Sequence, residues 1–234
     1  PDPTSIGTVS MGEFTGTVRS SVSGVLAAGA NVDMGQFIQV CYSSVSAPPD
    51  TWDSADQTGT WTLTNADLTA QVTSWPGIAS VLGSSGKSSG KRYLEIVWVT
   101  GAAYGTLVRH DVGITSTRPV GSGGSGADAG AGYRRGGAVM VNASNVGTVT
   151  ALSDGDVVGL AVDLGTGDVW LSRNGTWTQG DPAAASSPEG TVATSTTYYP
   201  FASAESPAAT TVDLRTQASQ FGYAIPSGFV AWAS

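Results

Sequence analysis

Between Ser153 and Trp177 the chain reads as two antiparallel hairpins in tandem, and this stretch restricts the possible folds most tightly. Val158, Leu160, Val162 and Leu164 alternate with Val157, Gly159, Ala161 and Asp163. One face is bulky and apolar and the other small, the period-2 signature of a strand. Gly165-Thr166-Gly167-Asp168 then turns the chain back into Val169-Trp170-Leu171. Asn174-Gly175 supplies the next turn, because a two-residue type I′ loop needs positive φ at both positions and Asn and Gly adopt it most readily.

With 234 residues the chain is long enough for one all-β sandwich plus an extension. Hydrophobic residues make up 40%, charged residues only 12%, and there are 32 glycines. Such a polar, weakly charged surface suits a protein of short strands and tight turns that works outside cells or on particles. The net charge is −8, and Lys87 and Lys91 are its lysines. Affinity for nucleic acid scales with the phosphates neutralised by Lys and Arg, so a nucleic-acid partner is not expected. An anionic membrane surface would repel the chain as well. No run approaches the ~20 apolar residues of a membrane span, and Pro-Asp-Pro-Thr does not begin a signal peptide, so neither insertion nor secretion by a leader is expected. Cys41 is the sole cysteine, which excludes a disulfide within the chain and suits folding in a reducing cytoplasm; it reads as a small buried hydrophobe.

Further segments add to the meander in a recognisable order: Gly90-Lys91-Arg92-Tyr93-Leu94-Glu95-Ile96, then Asp111-Val112-Gly113-Ile114, then Tyr198-Tyr199-Pro200-Phe201, then Val212-Asp213-Leu214 and Phe221-Gly222-Tyr223. Together with the Gly-Asp-Val-Val-Gly strand and its Trp-containing partner, they resemble the strands of SPRY (B30.2-like) domains from about residue 58 to the C-terminus. Arg92 departs from the aromatic residue usual at that position. The resemblance implies an all-β, two-layered antiparallel β-sandwich of SPRY or concanavalin A-like type over residues 58–234. In such sandwiches ligands are taken up by loops at one edge of the curved sheet.

Ahead of the sandwich lie two similar hexads, Val9-Ser10-Met11-Gly12-Glu13-Phe14 and Val32-Asp33-Met34-Gly35-Gln36-Phe37, each fitting a strand or the start of a short helix. They resemble segments at the start of bacteriophage tail-fibre and other structural proteins. A segment this short cannot bury its own apolar residues, so Phe14, Met34 and Phe37 need another surface. Residues 1–47 are therefore expected to be an N-terminal docking arm. Pro48-Pro49-Asp50 opens a stiff spacer over 48–57, since proline fixes φ and holds the residue before it extended. From Trp61 alternation resumes through Leu63, Leu68, Ala70 and Val72, with Asn65-Ala66-Asp67 as the turn.

Two long connections, from Ser116 to Gly137 and from Asp181 to Thr197, and the shorter one from Ala102 to Arg109, are the expected ligand-contacting loops. Trp75, Tyr104, Tyr133 and Trp177 lie in or beside turns, where a flat ring can stack on a sugar or anchor a protein contact. Arg109, Arg118, Arg134 and Arg135 sit in the same connections and can grip a carboxylate or phosphate with two hydrogen bonds. Trp61, Trp98 and Trp170 fall within apolar strand patterns and are expected in the core.

Catalysis finds little support. Glycoside hydrolysis needs a carboxylate pair, yet Glu95 is flanked at two-residue spacing by Tyr93 and Val97 and reads as a hydrogen-bonding group. His110-Asp111 lacks a serine in a nucleophile elbow, so His110 reads as solvated or packed against a loop. Asp154, Asp156, Asp163 and Asp168 do not have the spacing of a calcium loop, and Asp beside Gly is common in turns. No metal or other cofactor is expected. The sequence thus predicts a non-enzymatic, multicopy binding module on a virion surface, assembled in the host cytoplasm. Its arm would bind other virion proteins and its loops a host-surface glycan or protein, or a neighbouring subunit. A polysaccharide depolymerase and a peptide-binding cellular adaptor are the alternatives.

Overall fold

The computed structural model describes residues 48–73, 77–101, 110–117, 129–205 and 209–234, together with the strands at 5–11 and 14–19. The chain divides into two units, Pro1–Val45 and Ser46–Ser234. In the first, β1 (Ser5–Met11) and β2 (Phe14–Arg19) pair antiparallel as a sheet of two strands, with Met11 opposite Phe14 and Val9 opposite Gly16. The first hexad thus includes the end of β1 and the start of β2. The second hexad, with Met34 and Phe37, and Cys41 lie outside the described residues.

The second unit is a β-sandwich of two sheets. One runs β11 (Ser144–Thr148), β10 (Ala138–Val141), β9 (Gly130–Arg134), β8 (Asp111–Thr115), β16 (Tyr199–Glu205), β6 (Ile78–Gly83) and β3 (Trp52–Thr58). The other runs β14 (Thr176–Trp177), β13 (Asp168–Arg173), β12 (Asp156–Asp163), β7 (Lys91–Gly101), β17 (Thr210–Arg215), β5 (Thr69–Val72) and β4 (Thr62–Thr64). To this second sheet β15 (Gly190–Thr191) adds beside β13, and β18 (Val230–Ala231) pairs parallel with β7. Every other pairing is antiparallel, as the hairpin turns required. Asn174 and Gly175 have φ of 51° and 75°, the positive values of the expected turn, and Arg173 pairs with Thr176 across it.

Alternation along β12 explains both of its faces. Val158, Leu160 and Val162 enter the core between the sheets, beside Leu94, Ile96 and Trp98 of β7. The small residues serve a second apolar layer on the outside. A Cβ on Gly159 would fall 2.4 Å from Ser172 Oγ and 2.8 Å from Tyr93 Oη, and Ala161 packs among Tyr93, Trp170 and Phe229. Glycine and alanine stand here because aromatic rings lie on top of them. Each such ring contributes roughly 2–3 kcal/mol by burial. Trp61, Trp98 and Trp170 are buried as expected.

Three sequence expectations are corrected. Residues 48–57 are not a free spacer: β3 pairs with β6, Trp52 is 1% exposed, and Asp50 N donates to Thr216 Oγ1. Proline composition misled here because the apolar anchor follows directly behind it. The connection from Ser116 to Gly137 contains strand β9, whose glycines are there for close pairing: a Cβ on Gly130 would meet Ile114 O at 2.0 Å. Phe221-Gly222-Tyr223 is not a strand; it follows a single 3-10 turn, Ala218–Gln220, and lies against the outer face of the second sheet. The connection at 181–197 is tied down by β15, by Trp170 Nε1 donating to Ser186 O and by Tyr198 Oη donating to Ala193 O.

Candidate functional site

Strand pairing brings one set of charged residues to a common end of the sandwich. Asp111 pairs with Arg134 and Ser203, Trp98 pairs with Asp156 and Val212, and Val158 pairs with Arg173. Side chains join the two sheets there. Arg135 lies with its guanidinium carbon 5.4 Å from the Trp98 ring centroid, and the His110 ring is 5.9 Å from the same tryptophan.

Most of the ionisable groups at this end are engaged by the chain itself. Arg134 Nε and Nη2 donate to Asp111 Oδ1 and Oδ2 at 2.8 and 3.1 Å, and Asp111 is wholly buried. Arg134 therefore grips a carboxylate with two bonds, as its type suggested, but the carboxylate is the protein's own. Arg135 donates to Asp154 Oδ1 at 3.5 Å, and Asp154 also accepts from Thr100 Oγ1 and Gly101 N. His110, 1% exposed, is packed inside rather than solvated. Its Nε2 donates to Glu205 O at 2.9 Å, and Nδ1 is 3.4 Å from the Thr210 hydroxyl, so burial holds the imidazole neutral and its pKa below the usual value.

Tyr133 is corrected from loop ligand to core residue. It sits in β9 with no exposed surface and donates to Thr150 O at 2.6 Å; burial pushes its hydroxyl up to about 12. Trp177 remains at the surface, half-buried, with its ring edge-on to Tyr93 at 6.3 Å. Trp75, Tyr104, Arg109 and Arg118 lie outside the described residues, and Phe14 is placed only as the first residue of β2.

An open cleft of about 380 Å³ lies where the β13–β14 hairpin meets residues 149–150. Arg173, Asn174, Thr176, Trp177 and Thr178 form one wall, Val149 and Thr150 the other, with Tyr133 also lining it. Arg173 Nε donates to Asp156 Oδ2 at 2.7 Å, Asn174 Nδ2 to Oδ1 at 2.6 Å and Ser153 N to Oδ2 at 2.6 Å. Burial alone would raise the Asp156 pKa, but these donors together hold it below the ordinary carboxylate value. The Thr178 hydroxyl lies within hydrogen-bond reach of both Leu171 O and the Glu189 carboxylate, and burial raises the Glu189 pKa. Beside the hairpin, Tyr223 is 37% exposed and rests on Gly175, where a Cβ would meet its ring at 2.4 Å.

Arg173, Thr176 and Tyr223 were not singled out from sequence. The Asn-Gly turn marked the first two, since its flanking positions stand at the tip of a hairpin. Nothing local marked Tyr223. Glu95 has the hydrogen-bonding role expected of it: Oε1 accepts from Tyr93 Oη and Tyr223 N, and Oε2 from Arg215 Nη1 and Gly222 N.

No family model matches the sequence, and no curated protein matches it. Among solved structures, the SPRY domain of human HERC1 is similar with a TM-score of 0.54 and 18% identity, covering 70% of this chain and 96% of that one. Stonustoxin gives a TM-score of 0.44 and 16% identity over 71% of this chain and 27% of that chain. The order of the motifs, the two antiparallel sheets and the HERC1 likeness agree: the fold is that of an SPRY β-sandwich.

Proposed function

We propose that this chain is a non-enzymatic binding module carried in several copies on the surface of a bacteriophage particle. Its arm docks onto other virion proteins, and the open end of the sandwich binds a host-surface molecule. The observation that carries the binding reading is the contrast between the sandwich's ionisable groups and the rim of the cleft. Arg173 closes on Asp156, Arg134 closes on Asp111, and Glu95 is filled by four donors, while Thr176 is exposed and Trp177 keeps part of its ring at the surface. Groups saturated in this way hold the fold; a ring and hydroxyls at a rim serve recognition.

The arm reading is supported by the hairpin of β1 and β2. A two-stranded sheet is marginal in water by itself and calls for a partner surface. Multiple copies on one particle turn weak contacts into useful avidity. Deleting residues 1–47 is expected to abolish incorporation into particles while leaving the thermal transition of the sandwich intact. Particles that still carry the truncated protein would refute the docking role.

A further inference from the structure

Resting on the reading of the sandwich as a binding module, the geometry points to a neutral saccharide as the ligand of the Trp177 cleft. The first reason is charge. Arg173 is the one charged residue lining the cleft, and Asp156, kept ionised by its donors, holds it at 2.6 Å. An anionic ligand would have to break that pair, and a partly buried pair is costly to leave half-matched. A cationic ligand finds no carboxylate among the lining residues.

The second reason is the kind of polar group left open. Thr150 and Thr176 are both exposed on the cleft walls, each hydroxyl able to donate and accept, and Asn174 Nδ2 keeps a second hydrogen after bonding Asp156. Such groups match the mixed donors and acceptors of sugar hydroxyls. The third is the ring. Trp177 is braced edge-on by Tyr93, itself held edge-on by Phe221 at 4.9 Å, so the indole is pre-positioned for the C–H face of a pyranose. A volume of about 380 Å³ is at the small end of ligand clefts, suited to a short glycan unit. Deep apolar anchoring, which a peptide side chain would use, is limited to Val149 beside the buried Tyr133.

The test is a titration of the full chain with neutral gluco-, galacto- and manno-oligosaccharides, with their sialylated or sulfated counterparts, and with a peptide library. The readout is the Trp177 indole NMR signal, assigned through Trp177→Phe. A neutral oligosaccharide is expected to shift that signal, and Thr150→Val with Thr176→Val, both at exposed positions, to weaken binding about tenfold, the order expected for two lost hydrogen bonds, without moving the thermal midpoint. Preference for the acidic sugars, or a peptide that shifts the indole where sugars do not, overturns the saccharide assignment and leaves the binding-module reading standing. Sugar binding that leaves the Trp177 signal unmoved overturns the cleft as the site. Silence of all three probe classes overturns the assignment and counts against the binding-module reading too.

Discussion

The carboxylate of Glu95, wholly buried in β7, holds the backbone amide of Tyr223 at 2.9 Å, 128 residues further along the chain. Gly222 N at 2.8 Å, Tyr93 Oη at 3.0 Å and Arg215 Nη1 at 3.3 Å complete the grip. The C-terminal segment is thereby fastened over the small residues of β12. Fastening is continued by Trp232, whose Nε1 donates to Ser85 O, and by Arg92, whose Nη1 donates to Ser234 O at 2.7 Å. Arg92, the departure from the usual aromatic, thus ties down the chain end.

Glu95→Ala removes the buried acceptor of two amides, a tyrosine hydroxyl and the Arg215 guanidinium. The expected loss is about 3 kcal/mol in urea-induced unfolding, the order found when one partner of a buried charged network is removed. A loss below about 1 kcal/mol would show that the segment is held by its aromatic contacts alone.

Asp111 and Arg134 should behave as a unit. Asp111→Ala is expected to cost about 3 kcal/mol by stranding the guanidinium, and the double variant with Arg134→Ala to cost less than the two single losses added together. A double-mutant cycle with no coupling would mean the pair contributes nothing beyond its separate packing.

The single histidine makes stability depend on pH in a defined direction. Folded His110 has a lowered pKa, so near and below the ordinary value of about 6.5 the unfolded chain binds the extra proton and folding is penalised as pH falls. Asp50 and Glu189, both raised by burial, act in the opposite sense, gaining stability toward acid. The difference between wild type and His110→Gln isolates the histidine: wild type should lose stability relative to the variant between pH 7.5 and 5.5. Thermal melts across that range decide it, and parallel curves would contradict the buried neutral imidazole.

Gly175→Ala combines a positive φ with contact against the Tyr223 ring. A cost of about 1–2 kcal/mol is expected, with a changed environment for Tyr223 beside the cleft. Chemical denaturation and tyrosine NMR signals measure the two effects separately.

The boundary of the sandwich is testable by truncation. A chain starting at residue 46 should keep its cooperative transition, whereas one starting at 58 loses β3. Trp52→Ala alone is expected to cost about 3–5 kcal/mol, as for other buried tryptophans. An unchanged transition for the shorter chain would restore the spacer reading of 48–57.

What the sequence determined by itself is local. The β12–β13–β14 meander, the hairpin of β4 and β5 turning at Asn65-Ala66-Asp67, and the burial of Trp98 and Trp170 follow from side-chain period and turn residues a few positions apart. Strand geometry and positive φ act over that range, so they are legible in one chain. What only the tertiary structure decided is where distant residues meet. Asp111 met Arg134, a strand pairing 23 residues away, and turned a ligand candidate into a buried ion pair. Tyr133 fell on the inward side of β9, because one step of register exchanges core for surface. Trp177 came to line one cleft with Arg173, Thr176 and Thr150 because the β13–β14 hairpin meets the segment that follows β11. No local pattern carries that information: it is set when the sheets choose their register and close on a common core.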